Sequence, residues 1–236
     1  MNHKKGIAGW SKIYQPNDGL GYGNQISILP MDESQVSNNP GEIDSNLDSD
    51  EELLAEFGDF WDAAEELWDR YQDAPAFERY VSADFLEVAR SLVKLREQAL
   101  VFLEWGSGLG VTTIMASRLG FEAYGIEADG TLVEHSEDLA EAYGPEARFV
   151  QGSFIPDEFE WRPADHDEVN RTVIDLPAGY AELDMELRDF DLIYAYPWPN
   201  EHTLYHSIIR QFARSDALLL SYDAREGTEI VTFGND

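Results

Sequence analysis

From Ser49 onward, apolar residues recur at every third and fourth position: Leu53, Phe57, Phe60, Trp61, Ala64, Leu67, Trp68 and Tyr71. That period places one apolar stripe along a helix, and acids fill the opposite face. Ser49 and Glu52 stand at capping-box spacing at its start. A second helical period, through Phe85, Leu86, Val88, Ala89, Leu92, Val93 and Leu95, predicts a helix over about 83–98, with Ser82 as its N-cap. The pattern then changes. Val101-Phe102-Leu103 is a short continuous apolar run, as in a strand buried on both faces, and predicts a strand over 100–104. Similar runs at 123–127, 147–151, 190–195 and 217–222 predict four more strands. Helical periods at 111–118, about 132–143 and about 201–212 separate them, with a further helix near 179–187. Gly120 and Gly144-Pro145 supply helix stops. Strands alternating with helices over short loops predict an α/β fold with a mostly parallel sheet and helices on both faces. Such sheets take ligands at the carboxyl ends of their strands.

The chain divides unevenly. Residues 1–48 are rich in Gly, Asn, Ser, Asp and Pro and read as a flexible segment, with a short strand possible only at 25–29. Residues 49–76 form an acidic amphipathic helical extension, either docked on the core or acting as a lid or docking face for a basic partner. Residues 77–236 form the ligand-binding domain. Fifteen acids and one base, Arg70, fall between Asp32 and Asp73.

Charge narrows the partners. The net charge of −31 argues against nucleic acid and anionic membrane as substrates and leaves basic proteins, cationic small molecules or neutral ones. The absence of cysteine excludes disulfides, thiolate zinc sites and cysteine nucleophiles. No apolar run is long enough to span a membrane, and Lys4 and Lys5 precede no apolar signal core. A cytoplasmic protein is expected.

The chemistry concentrates after the first strand. Glu104-Trp105-Gly106-Ser107-Gly108-Leu109-Gly110 carries an acid and three alternating glycines into a helix N-terminus. Such a turn is tight and lets a ligand approach the backbone closely. The spacing is G-x-G-x-G, and Val111 stands where a dinucleotide fold has its third glycine. Glu104 would repel a pyrophosphate and suits a cationic ligand group. Glu127, at the end of the second strand, can accept hydrogen bonds from both hydroxyls of a ribose.

Together with Phe149-Val150-Gln151-Gly152-Ser153, these residues resemble the first three motifs of class I SAM-dependent methyltransferases (SAM, S-adenosyl-L-methionine), over about residues 77–222. The resemblance implies a Rossmann-like fold and SAM or S-adenosylhomocysteine as ligand. It implies cofactor contacts at Glu104, Gly106, Ser107, Gly108, Gly110, Glu127, Gly152, Ser153 and Phe154. Tyr80 joins them, since in the similar FAM173-like protein lysine methyltransferases an aromatic of the lead-in lies against the cofactor. The chain departs from the family in two places. Family members often carry Asp after strand three, where Gly152-Ser153-Phe154 stands here; Phe154 can stack on adenine. A full family sheet has seven strands, and here there is room for one after strand five. The sheet is therefore either trimmed at its C-terminal side or completed by a strand near Ile26.

The loop after strand four, Tyr196-Pro197-Trp198-Pro199-Asn200-Glu201, faces the methyl donor in the family. Amine-methylating members often carry Asn or Asp where Tyr196 stands, so nucleobase methylation is disfavoured. Tyr196 and Trp198 can line an ammonium site by cation–π contact, at about 0.5–2 kcal/mol each, and Glu201 can orient or deprotonate an amine. These three are the expected catalytic residues, and the expected acceptor is a nitrogen nucleophile such as a protein lysine or a small amine. The alternatives are an aminopropyl transferase, against which the absence of paired acids after strand four argues, and a non-catalytic SAM-binding or scaffold protein. No metal site is expected: His166 among carboxylates, and His202 with His206, lack a full ligand set.

Overall fold

The computed structural model describes residues 49–160, 172–173 and 175–233. The expected strand at 25–29 and His166 lie outside the described residues. Helix α1 (Asp50–Tyr71) begins at Ser49, whose hydroxyl accepts the Glu52 N–H while the Glu52 carboxylate accepts the Ser49 N–H at 2.9 Å. It buries Leu53, Phe57, Phe60 and Ala64.

Helix α2 (Phe85–Leu95) starts two residues later than expected. Its cap is Asp84, whose Oδ1 accepts the Glu87 N–H at 3.0 Å; the Ser82 hydroxyl donates to the Ala83 carbonyl instead. Asp84→Ala is therefore expected to lower stability by about 1 kcal/mol in chemical denaturation, and Ser82→Ala to leave it nearly unchanged. Equal losses in the two variants would contradict this cap.

The sheet follows as β1 (Val101–Trp105), α3 (Val111–Arg118), β2 (Glu122–Glu127), α4 (Gly130–Tyr143), β3 (Arg148–Gln151), α5 (Tyr180–Leu183), β4 (Leu192–Ala195), α6 (His202–Phe212), β5 (Leu218–Asp223) and β6 (Gly227–Thr232). The helix expected near 179–187 is cut to four residues because Asp184 takes φ 54°; a 3₁₀ turn at Leu187–Asp189 follows. Strand order is β3-β2-β1-β4-β5-β6. Five strands are parallel, and β6 returns antiparallel along β5. This is the Rossmann-like architecture of class I methyltransferases, ending at six strands among the described residues.

One apolar core lies between the sheet and α1 to α4, and a second between the sheet and α5 and α6. Helix α1 is tied into the first core: the Trp61 indole donates to Met115 Sδ at 3.3 Å, and Arg118 bridges to Glu56 at 2.5 Å. The chain runs outward from β1 in one direction through β2 and β3, then returns to β4 on the other side. The crevice between β1 and β4 is the switch point of the topology, where α/β sheets place their ligands.

Candidate functional site

The three turn glycines all have left-handed backbone: φ is 69° at Gly106, 54° at Gly108 and 71° at Gly110. Their surroundings differ. A Cβ on Gly108 would lie 2.6 Å from Cε2 of Tyr80, and one on Gly110 would lie 2.4 Å from Cζ of Phe149. A Cβ on Gly106 would meet nothing within 4 Å. Gly108 thus seats Tyr80 and Gly110 seats Phe149, while Gly106 leaves its face open to a ligand. The turn is held from β2: the Gly106 and Ser107 N–H groups donate to the Ile126 carbonyl at 2.9 and 3.1 Å. The Gly108 N–H donates to Glu127 Oε2 at 2.9 Å, and Glu127 Oε1 accepts the Asp129 N–H at 3.0 Å.

Glu104 is buried, and its Oε2 accepts the N–H of Thr113 at 2.9 Å and the Thr113 hydroxyl at 2.7 Å. Thr113 is the third residue of α3, so a carboxyl of the chain itself occupies the anion-binding end of that helix. A dinucleotide pyrophosphate would find this place taken. Burial pushes the Glu104 carboxyl up to about 8; the Thr113 hydrogen bonds pull against it and the charge of Glu127 adds to it. Burial also raises Glu127, opposed by the Asp129 and Gly108 N–H groups. Tyr80 is raised by burial first, opposed by a hydrogen bond with Ser82, and further by the charges of Glu104 and Glu127.

These groups open on a cleft of about 1800 Å³ at the carboxyl ends of the strands. Tyr80, Glu104, Gly106, Ser107, Gly108, Glu127, Gly152, Ser153, Phe154, Tyr196 and Trp198 all line it. Gly110 does not; it lies beneath, against Phe149 and Ser136. Gly152 has a packing reason of its own, since a Cβ there would sit 2.8 Å from Gly179. The Ser153 hydroxyl accepts the Ile155 N–H and donates to the Val173 carbonyl, at 3.1 and 3.2 Å. Phe154 stacks on Trp105, with ring centres 4.8 Å apart and planes at 13°. One face of Phe154 is therefore already covered. Trp105 itself lines the cleft and was not singled out in the sequence. Its place directly after Glu104 on β1, facing the opposite side of the sheet, was the available signal.

At the end of β4, Tyr196 meets Tyr222 edge-on at 4.9 Å and 86°. Asn200, in the same loop, lines the cleft with φ 70°, a conformation few residues other than glycine adopt. Glu201 is placed differently from the expectation. It is 2% exposed and outside the cleft lining, and its Oε2 accepts the N–H and hydroxyl of Thr172 at 3.3 and 2.5 Å. At the start of α6 its side chain turns inward, where the Thr172 donors compensate its burial. His202 lines the cleft, whereas His206 lies against Phe233, and burial pushes its imidazole down to about 4. Among the described residues no cluster of His, Asp and Glu could hold a metal ion, and no helix is long and apolar enough to cross a membrane.

No protein-family model matches the sequence, and a search of curated proteins finds no match. Similar solved structures include methyltransferases. An RNA methyltransferase from Salinibacter ruber in complex with S-adenosyl-L-homocysteine is 17% identical, over 63% of this chain and 92% of that one, with a TM-score of 0.44. A methyltransferase from Geobacter sulfurreducens is 18% identical, over 69% of this chain and 72% of that one, with a TM-score of 0.43. The fold assignment itself stands on the strand order and on the glycine turn between β1 and α3.

Proposed function

We propose that the protein is a SAM-dependent methyltransferase acting on a nitrogen nucleophile, a protein lysine or a small amine. The observation that carries this reading is the pair of carboxyls on the glycine turn, Glu104 at the α3 N-terminus and Glu127 on the Gly108 N–H. That pair is unsuited to a pyrophosphate. It suits a ligand with an ammonium group at one end and a ribose diol nearby. Glu104 would take the ammonium, Glu127 the ribose hydroxyls, and the open face at Gly106 would admit the ligand to the backbone.

When bound, SAM would supply an electrophilic methyl group on a sulfonium. Transfer would join that methyl to the acceptor nitrogen with S-adenosylhomocysteine leaving, so the chain would have to hold the acceptor in line and uncharged. Tyr196 and Trp198, at the end of β4, are the side chains we assign to the acceptor, packing an amine between aromatic faces. Acids of the cleft wall, among them Asp62, Glu65, Asp223 and Glu226, favour entry of a cation. Glu201, held by Thr172, anchors the loop in this reading rather than taking a proton.

Calorimetric titration with SAM and with S-adenosylhomocysteine tests the reading. The wild type is expected to bind both at micromolar levels, and Glu127→Ala to bind at least about tenfold more weakly, having lost the hydrogen-bond acceptor for the ribose hydroxyls. A wild type that binds neither ligand would sink the proposal. Binding without transfer to lysine peptides or polyamines in a radiolabelled screen would favour the non-catalytic alternative.

A further inference from the structure

Among the described residues, two buried side-chain polar atoms have no hydrogen-bond partner, Ser107 Oγ and Tyr194 Oη. Both residues line the same cleft. Ser107 belongs to the glycine turn, but nothing above accounts for Tyr194. It sits on β4, where Glu104 of β1 is its register partner, so the two side chains leave the sheet on the same face. Tyr194 is 3% exposed and packs in a core with Leu192 and Leu220, where phenylalanine would fill the same space. A buried hydroxyl without a partner is destabilising, and such groups are few in folded proteins. Burial first, and then the charge of Glu104, hold the phenol well above its ordinary pKa; the Thr112 hydroxyl nearby pulls the other way but does not reach hydrogen-bond geometry, so the phenol stands in the cleft as a neutral donor. The Glu104 carboxyl beside it is already engaged by Thr113.

We infer that Tyr194 is a binding residue for the α-carboxylate of the adenosyl ligand's amino-acid end, donating its hydroxyl hydrogen while Glu104 takes the adjoining ammonium. This rests on the SAM reading above and adds a specificity to it. In an α-amino acid both charged groups hang from one carbon, so their protein partners must stand side by side, as Glu104 and Tyr194 do on neighbouring strands. The carboxylate needs a donor there, because Glu104 repels it. A phenol supplies that donor without a second charge that would compete for Glu104. Decarboxylated SAM keeps the ammonium and lacks the carboxylate, so it would leave Tyr194 unpartnered. The pair therefore selects ligands with an intact amino-acid end over the decarboxylated sulfonium that aminopropyl transfer requires.

The test is Tyr194→Phe, titrated calorimetrically with S-adenosylhomocysteine and with decarboxylated SAM, alongside thermal unfolding of the ligand-free protein. We expect affinity for S-adenosylhomocysteine to fall about tenfold. Affinity for decarboxylated SAM should be unchanged, and the ligand-free melting temperature equal to or above that of the wild type. Unchanged affinity for S-adenosylhomocysteine would overturn the inference. So would equal weakening of both ligands, or a ligand-free variant that melts several degrees lower, since either gives the hydroxyl a structural role. Glu127→Ala in the same series separates the two levels of argument. Loss of binding there with none in Tyr194→Phe overturns only the inference, whereas a wild type that binds neither ligand overturns the SAM reading as well.

Discussion

Gly110→Ala loses about 2–5 kcal/mol of unfolding free energy, a large part of what a domain of this kind has. Two costs add. The φ of 71° is a left-handed conformation that costs a side-chain-bearing residue about 1–2 kcal/mol. The new methyl would also lie 2.4 Å from Cζ of Phe149 and 2.9 Å from Cβ of Ser136, an overpacking worth about 1–3 kcal/mol. Phe149 has little room to yield, because its ring also closes on Gly125, where a Cβ would lie 2.7 Å away. Gly106→Ala makes the control. It has nearly the same φ but no atom within 4 Å of the added methyl, so only the backbone cost applies. Urea denaturation should therefore rank Gly110→Ala well below Gly106→Ala. Ligand titration should reverse the order for the folded fraction, because the Gly106 methyl projects into the cleft. Equal stability losses in the two variants would show that the ring of Phe149 moves aside.

These contrasts show how much the sequence reveals and where it stops. The glycine spacing marked the turn, and the acid at Glu104 argued against a dinucleotide, because both are local: strand, turn and helix are contiguous, and the side chains act on their own turn. The strand pattern was legible for the same reason, since continuous apolar runs require burial on both sides. Spacing alone did not separate the reasons for the three glycines, because Phe149 and Tyr80 reach the turn from elsewhere in the chain. Glu201 was expected to orient or deprotonate an amine, and only the position of Thr172, 29 residues earlier, shows its carboxylate turned inward. Tyr194 read as one more residue of a buried strand. Its place beside Glu104 depends on β4 pairing with β1 rather than with β3, a consequence of topology and not of any local pattern. The cap of α2 was misplaced by two residues for a smaller reason. Ser82 and Asp84 are both good caps, and only the Asp84 carboxylate accepts a helix N–H, while the Ser82 hydroxyl turns to the Ala83 carbonyl.

Glu104→Gln separates binding from stability through pH. In the folded chain burial pushes the Glu104 carboxyl up to about 8, against 4.5 for the free group. Between those values the folded protein holds a proton that the unfolded chain has released, so wild-type stability falls as pH rises from about 4.5 to about 8 and levels off beyond. Glutamine resembles the protonated acid and keeps an oxygen for Thr113, but it cannot ionise. The variant should match the wild type near pH 5 and exceed it by a few kcal/mol near pH 8 to 9. Ligand binding runs the other way. Pairing with an ammonium requires the ionised carboxylate, so wild-type affinity for S-adenosylhomocysteine should rise by up to about tenfold per pH unit from 5.5 towards 8, with release of about one proton at the lower end. In Glu104→Gln this pH dependence should vanish, with affinity at pH 8 down about a hundredfold through loss of a buried charge partner. Calorimetry in two buffers of different ionisation enthalpy measures the proton directly. A wild-type affinity that stays flat from pH 5.5 to 8 would mean that Glu104 only caps α3 and never meets the ligand's charge.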